Sequence, residues 1–64
     1  MRRNASILVI DDEEIMREIL QTLLEREGYA VRVASSGRDG LELARTLPFD
    51  AVIVDVMMPG IDGL

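Results

Sequence analysis

Three observations predict an α/β fold built on a parallel sheet. Two short apolar runs, Ile7 to Ile10 and Ala51 to Val54, have no polar alternation. Runs of that kind read as strands buried on both faces, as inside a parallel sheet. Between them lie two stretches with apolar residues at helical period, separated by one alternating stretch around Val31, Arg32 and Val33. Each apolar run also ends on carboxylates, Asp11-Asp12 after the first and Asp55 after the second. Asp is disfavoured inside a strand, so these acids mark strand ends. In open α/β sheets the carboxyl ends of strands are where ligands and chemistry gather.

The first strand is expected over about Ser6 to Ile10, after a short polar start. The helix that follows has Ile15, Met16, Ile19, Leu20, Leu23 and Leu24 as one apolar stripe. Arg17, Glu18, Gln21, Glu25 and Arg26 form its polar side, with Glu13 and Arg17 spaced as an i,i+4 pair. Asp12 to Glu14 place negative charge at its N-terminus, where the helix dipole favours it. Gly28 suits the left-handed residue that closes it. Tyr29 to Ala34 is expected as the second strand, partly exposed because Arg32 interrupts the valines. Ser36 reads as an N-cap with Asp39 three residues on. The second helix carries Leu41, Leu43, Ala44 and Leu47, and Pro48 ends it. Gly40 within it lowers helix propensity by about 1 kcal/mol relative to Ala. The third strand begins near Asp50 and is closed by Pro59 and Gly60.

Strand, helix, strand, helix, strand with right-handed crossovers gives a parallel sheet in the order 2-1-3, one helix on each face. That is part of a flavodoxin-like, three-layer α/β/α sheet. The chain has 64 residues, near the lower limit for a self-sufficient core. It contains no Cys, which excludes disulfides and thiolate metal sites. The net charge of −5 argues against a nucleic-acid surface. No apolar run approaches the ~20 residues of a membrane span. Arg2-Arg3 before an apolar run hints at an export signal, but the run is too short and ends in four acids. A soluble, cytoplasmic protein is the expectation.

If the first and third strands are neighbours, Asp11, Asp12 and Asp55 converge on one sheet edge. Two unit charges ~4 Å apart repel by about 4 kcal/mol at an effective dielectric near 20. A cation relieves that repulsion, and hard oxygen donors without imidazole or thiolate suit Mg²⁺. An Asp beside bound Mg²⁺ can act as a nucleophile toward phosphorus. Glu13, Glu14 and Asp62 read instead as helix-terminal charges and caps.

The segments Ile7 to Glu13, Ser36 to Ala44 and Phe49 to Leu64 resemble the receiver domain of two-component response regulators. The resemblance implies that Asp55 is the phosphoacceptor, taking a phosphoryl group from a sensor histidine kinase. It implies that Asp11 and Asp12 hold Mg²⁺, Asp12 directly and Asp11 largely through water, with Asp55 and the backbone carbonyl of Met57 completing the protein ligands. It implies a signalling phosphoacceptor that assists its own phosphotransfer, not a turnover enzyme, with helix one as the kinase-docking surface. A complete receiver continues through two more strands and three more helices, which bring a Ser or Thr, a Lys and an aromatic switch residue. Residues 1–64 therefore read as the N-terminal half of a receiver, ending before the fourth strand, and poorly phosphorylated by themselves. Haloacid-dehalogenase-type phosphatases also place an Asp after an apolar strand, but expect a second Asp where this chain has Met57.

A half-sheet also implies assembly. The outer edge of the third strand carries no Pro, Lys or bulge signal within its run, so it invites pairing with another strand. A homodimer or higher assembly is expected, through that edge or by exchange of segments. A receiver-like half-fold that dimerises without being phosphorylated is the alternative reading of function.

Overall fold

The computed structural model describes residues 4–55. Its elements are β1 (Ser6–Ile10), α1 (Glu14–Arg26), β2 (Ala30–Ala34), α2 (Gly37–Thr46) and β3 (Ala51–Val54). The three strands form one parallel sheet in the order β2-β1-β3, the order expected from the sequence. Ser6 to Ile10 pair in register with Ala30 to Ala34, and Ile7 to Ile10 with Ala51 to Val54.

β1 is the centre of the molecule. Ile7, Leu8, Val9 and Ile10 are all buried, Leu8 and Val9 completely. Burying an aliphatic side chain of this size contributes roughly 1.5–3 kcal/mol, so this strand supplies much of the stability. Leu8, Ile10 and Ala34 cluster on one face, with Leu43 of α2 and Phe49 packed against them. Strand alternation sends Ile7 and Val9 to the other face, which α1 covers. β2 alternates between half-buried valines and exposed Arg32, the pattern of an outer strand.

The helix ends follow from local chemistry. Ser36 Oγ accepts the Asp39 amide at 3.1 Å and so caps α2. Gly28, at φ 99°, is the left-handed residue after α1 that a side chain would strain. α1 has Glu13 as its N-cap residue without a side-chain cap, and its first-turn acid is Glu14.

Gly40 is more than a weak point in helix propensity. It is buried, and a Cβ built there would overlap Ile10 Cδ1 and lie 2.7 Å from Ile10 Cγ1. The missing side chain lets α2 settle directly on the last residue of β1. Propensity at that position is given up for close packing.

Two expectations need correction. β3, read from its apolar run as a strand buried on both faces, is exposed along its whole length. Neither helix reaches β3, which leaves Val52 and Val54 open on one face and Ile53 on the other. A run of apolar residues records the burial a strand was selected for, and two helices of this length cover only β1 and β2. The Glu13–Arg17 ion pair is likewise not formed. Among the described residues the salt bridge is Arg45 with Glu42, at 3.8 Å on an exposed face where such pairs contribute little.

Candidate functional site

The parallel register builds the site. Ile10 is paired with Val54, so the next residue on each strand, Asp11 and Asp55, emerges side by side at the carboxyl edge. The Asp55 amide extends the ladder by one bond, donating to the Ile10 carbonyl at 3.0 Å. Asp11 does the same on the other side, its amide donating to the Ala34 carbonyl at 3.1 Å. Each acid is therefore held by a ladder bond to the neighbouring strand, Asp55 to the end of β1 and Asp11 to the end of β2.

One carboxylate oxygen each from Asp11, Asp12 and Asp55 lies within 4.8 Å of the others. Asp11 is buried at 5% exposure, Asp55 is half-buried and Asp12 is exposed. Asp11 Oδ1 accepts the Glu13 amide at 2.9 Å, which closes a tight turn between strand and helix. The Asp11 carbonyl accepts a bond from Arg17 Nη1 at 2.8 Å. The sequence-based pairing had assigned Arg17 to Glu13. Helical spacing permits either partner, and nothing in the chain's pattern shows that the side chain reaches back over the first turn to the strand end.

Three oxygens at these separations, all from carboxylates, match a small hard divalent cation that keeps part of its water shell. Imidazole and thiolate ligands are excluded by composition, since the chain has no His and no Cys. The donor set thus fits Mg²⁺. Met57, whose backbone carbonyl was expected to join these ligands, lies outside the described residues, as does Asp62.

Residues 7–64 match the family model described as the response regulator receiver domain. The chain belongs to this family. Among curated relatives it is similar to the transcriptional regulatory protein AfsQ1 of Streptomyces coelicolor, at 47% identity over 58 residues, covering 91% of this chain and 26% of the relative. The alkaline phosphatase synthesis transcriptional regulatory protein PhoP of Bacillus subtilis is 48% identical over 61 residues, covering 95% of this chain and 25% of the relative. Response regulator MprA of Mycolicibacterium vanbaalenii is 48% identical over 58 residues, covering 91% and 25%. The chain spans about a quarter of the length of these relatives. The receiver family and the partial flavodoxin-like sheet agree. Among the described residues no helix is long and apolar enough to cross a membrane.

Proposed function

We propose that this segment is the phosphoacceptor part of a two-component response regulator, with Asp55 as the acceptor and Asp11 and Asp12 as the acidic pair that holds Mg²⁺. The observation that carries the reading is the meeting of three carboxylate oxygens within 4.8 Å at the strand ends of a receiver-family sheet. When bound, the ion would neutralise the phosphoryl oxygens and the acidic edge together. Asp55 would supply the nucleophilic oxygen. A new oxygen–phosphorus bond forms as the phosphorus–nitrogen bond to a kinase histidine breaks, and the departing imidazole keeps the electron pair and takes up a proton. Asp11, buried and bonded to the Glu13 amide, would hold its charge in place, while exposed Asp12 would remain open to a metal and its waters. The Met57 carbonyl belongs to the same proposal. The product is a phosphorylated protein carrying a signal, so no turnover is implied. By the relatives' names, the process controlled is transcription. This acidic segment itself would meet a histidine kinase and not nucleic acid.

Metal binding gives the direct test. Millimolar Mg²⁺ is expected to raise the melting temperature by mass action, since the folded edge binds it and the unfolded chain does not. The Asp12→Ala variant should lose most of that rise. An unchanged melt in a folded sample, or an equal rise in the variant, overturns the metal assignment.

Exposure of β3, the outermost strand on its side among the described residues, favours a second, compatible reading, self-association. We infer that two copies pair through β3. A two-fold axis normal to the sheet makes the central pair antiparallel and joins two three-stranded sheets. Exchange of segments between copies would reach the same burial. Val52, Ile53 and Val54 would then leave water, and a folded single copy would be only marginally stable. Light scattering across a dilution series should show dissociation, accompanied by loss of circular dichroism. A compact monomer whose melt is independent of concentration contradicts this reading.

A further inference from the structure

We propose that Arg17 is a positioning residue for the acidic turn, holding Asp11 and Asp12 in the arrangement that receives a divalent cation. This rests on the reading of Asp11, Asp12 and Asp55 as the Mg²⁺ site. The carbonyl that Arg17 Nη1 meets at 2.8 Å is that of the peptide joining Asp11 to Asp12. Orienting that peptide sets the direction in which Asp12 leaves the strand. The chain on either side is already tied down, by Asp11 N to the Ala34 carbonyl at 3.1 Å before it and by Glu13 N to Asp11 Oδ1 at 2.9 Å after it. The linking peptide lies between these two anchors, and the guanidinium bonds its carbonyl. A hydrogen bond from a charged donor is shorter and roughly twice as strong as a neutral one. Arg17 is half-buried on the first full turn of α1, so its stem packs while its head reaches the strand end.

The two roles open to Arg17 have opposite signs. Acting only as a positive charge near the site, it would repel a cation, and its removal would tighten metal binding. Acting through the peptide it holds, its removal would loosen binding. Groups that orient metal ligands typically contribute 10–100-fold to affinity, whereas a part-exposed charge is screened over about 8 Å at physiological salt. The positioning role should therefore set the net sign.

Mg²⁺ titration of this chain, followed by the amide resonances of Asp12 and Glu13, reads the affinity without any phosphotransfer. Arg17→Met keeps the apolar stem and removes both donor and charge; it should bind Mg²⁺ about tenfold more weakly. Arg17→Lys keeps the charge and one shorter donor, and should fall between Arg17→Met and the unsubstituted chain. Binding by Arg17→Met as tight as or tighter than that of the unsubstituted chain overturns the proposal. If Arg17→Met loses its dispersed spectrum, the comparison passes to Arg17→Lys, and an affinity equal to that of the unsubstituted chain overturns it. Absence of saturable Mg²⁺ shifts in the unsubstituted chain, or Asp12→Ala binding like it, refutes the metal reading and this inference with it. A normal Mg²⁺ response lost in Asp12→Ala but unchanged in Arg17→Met refutes the role of Arg17 alone.

Discussion

Replacing Asp55 with Asn is expected to reduce phosphoryl incorporation to background. The amide matches the carboxylate in size, so the Ile10–Asp55 backbone bond and the end of β3 should be preserved. What disappears is the anionic oxygen, and an amide oxygen or nitrogen is a far weaker nucleophile toward phosphorus. Asp11 and Asp12 remain, so a metal would still be drawn to the edge. The loss should therefore be one of chemistry and not of folding. Incubation with a small-molecule phosphodonor and Mg²⁺, followed by intact-mass measurement, gives the readout. The unsubstituted chain should gain one hydroxylamine-labile phosphoryl group. Equal labelling of Asp55→Asn would move the acceptor to another residue, with Asp11 and Asp12 the first to examine.

Substituting Gly40 with Val is expected to unfold most of the population. Ile10 already occupies the space where the new Cβ would stand. Overpacking of a core contact costs typically 1–3 kcal/mol, and a β-branched residue has little freedom to turn away. Stability of native domains runs at roughly 0.05–0.15 kcal/mol per residue, so a chain of this length has only a few kcal/mol to lose. The gain in helix propensity from removing a glycine is at most about 1 kcal/mol and does not offset this. Chemical denaturation monitored by circular dichroism measures the effect. Gly40→Ala in an Ile10→Val background should be less damaging than Gly40→Ala alone, because Cδ1, the nearer of the two Ile10 carbons that obstruct the new Cβ, is gone. Additive effects of the two substitutions would show that the α2–β1 contact does not set the cost.

The acidic edge was legible in the sequence because strand ends are marked by a change in residue type. Ile10 to Asp11 and Val54 to Asp55 are abrupt steps from aliphatic to carboxylate, and the structure ends both strands there. The Ser36 cap and the left-handed Gly28 were legible for the same reason, as local backbone chemistry needs particular residues within a few positions. Arg17 was not. Its donor group lies several rotatable bonds from the helix, and the choice between the Glu13 carboxylate and the Asp11 carbonyl depends on where β1 ends in space.

Periodicity and residue type were thus sufficient for the order of elements, the parallel 2-1-3 sheet and the identity of the three acids, since each depends on short-range preference or on the handedness of crossovers. Three-dimensional packing decided the rest. It made Gly40 a contact point, turned Arg17 toward the strand end, and left β3 exposed although its residues are those of an interior strand. Burial depends on which surfaces reach which others. An apolar run states what a strand requires, and only the packing of helices against the sheet determines whether the described residues provide it.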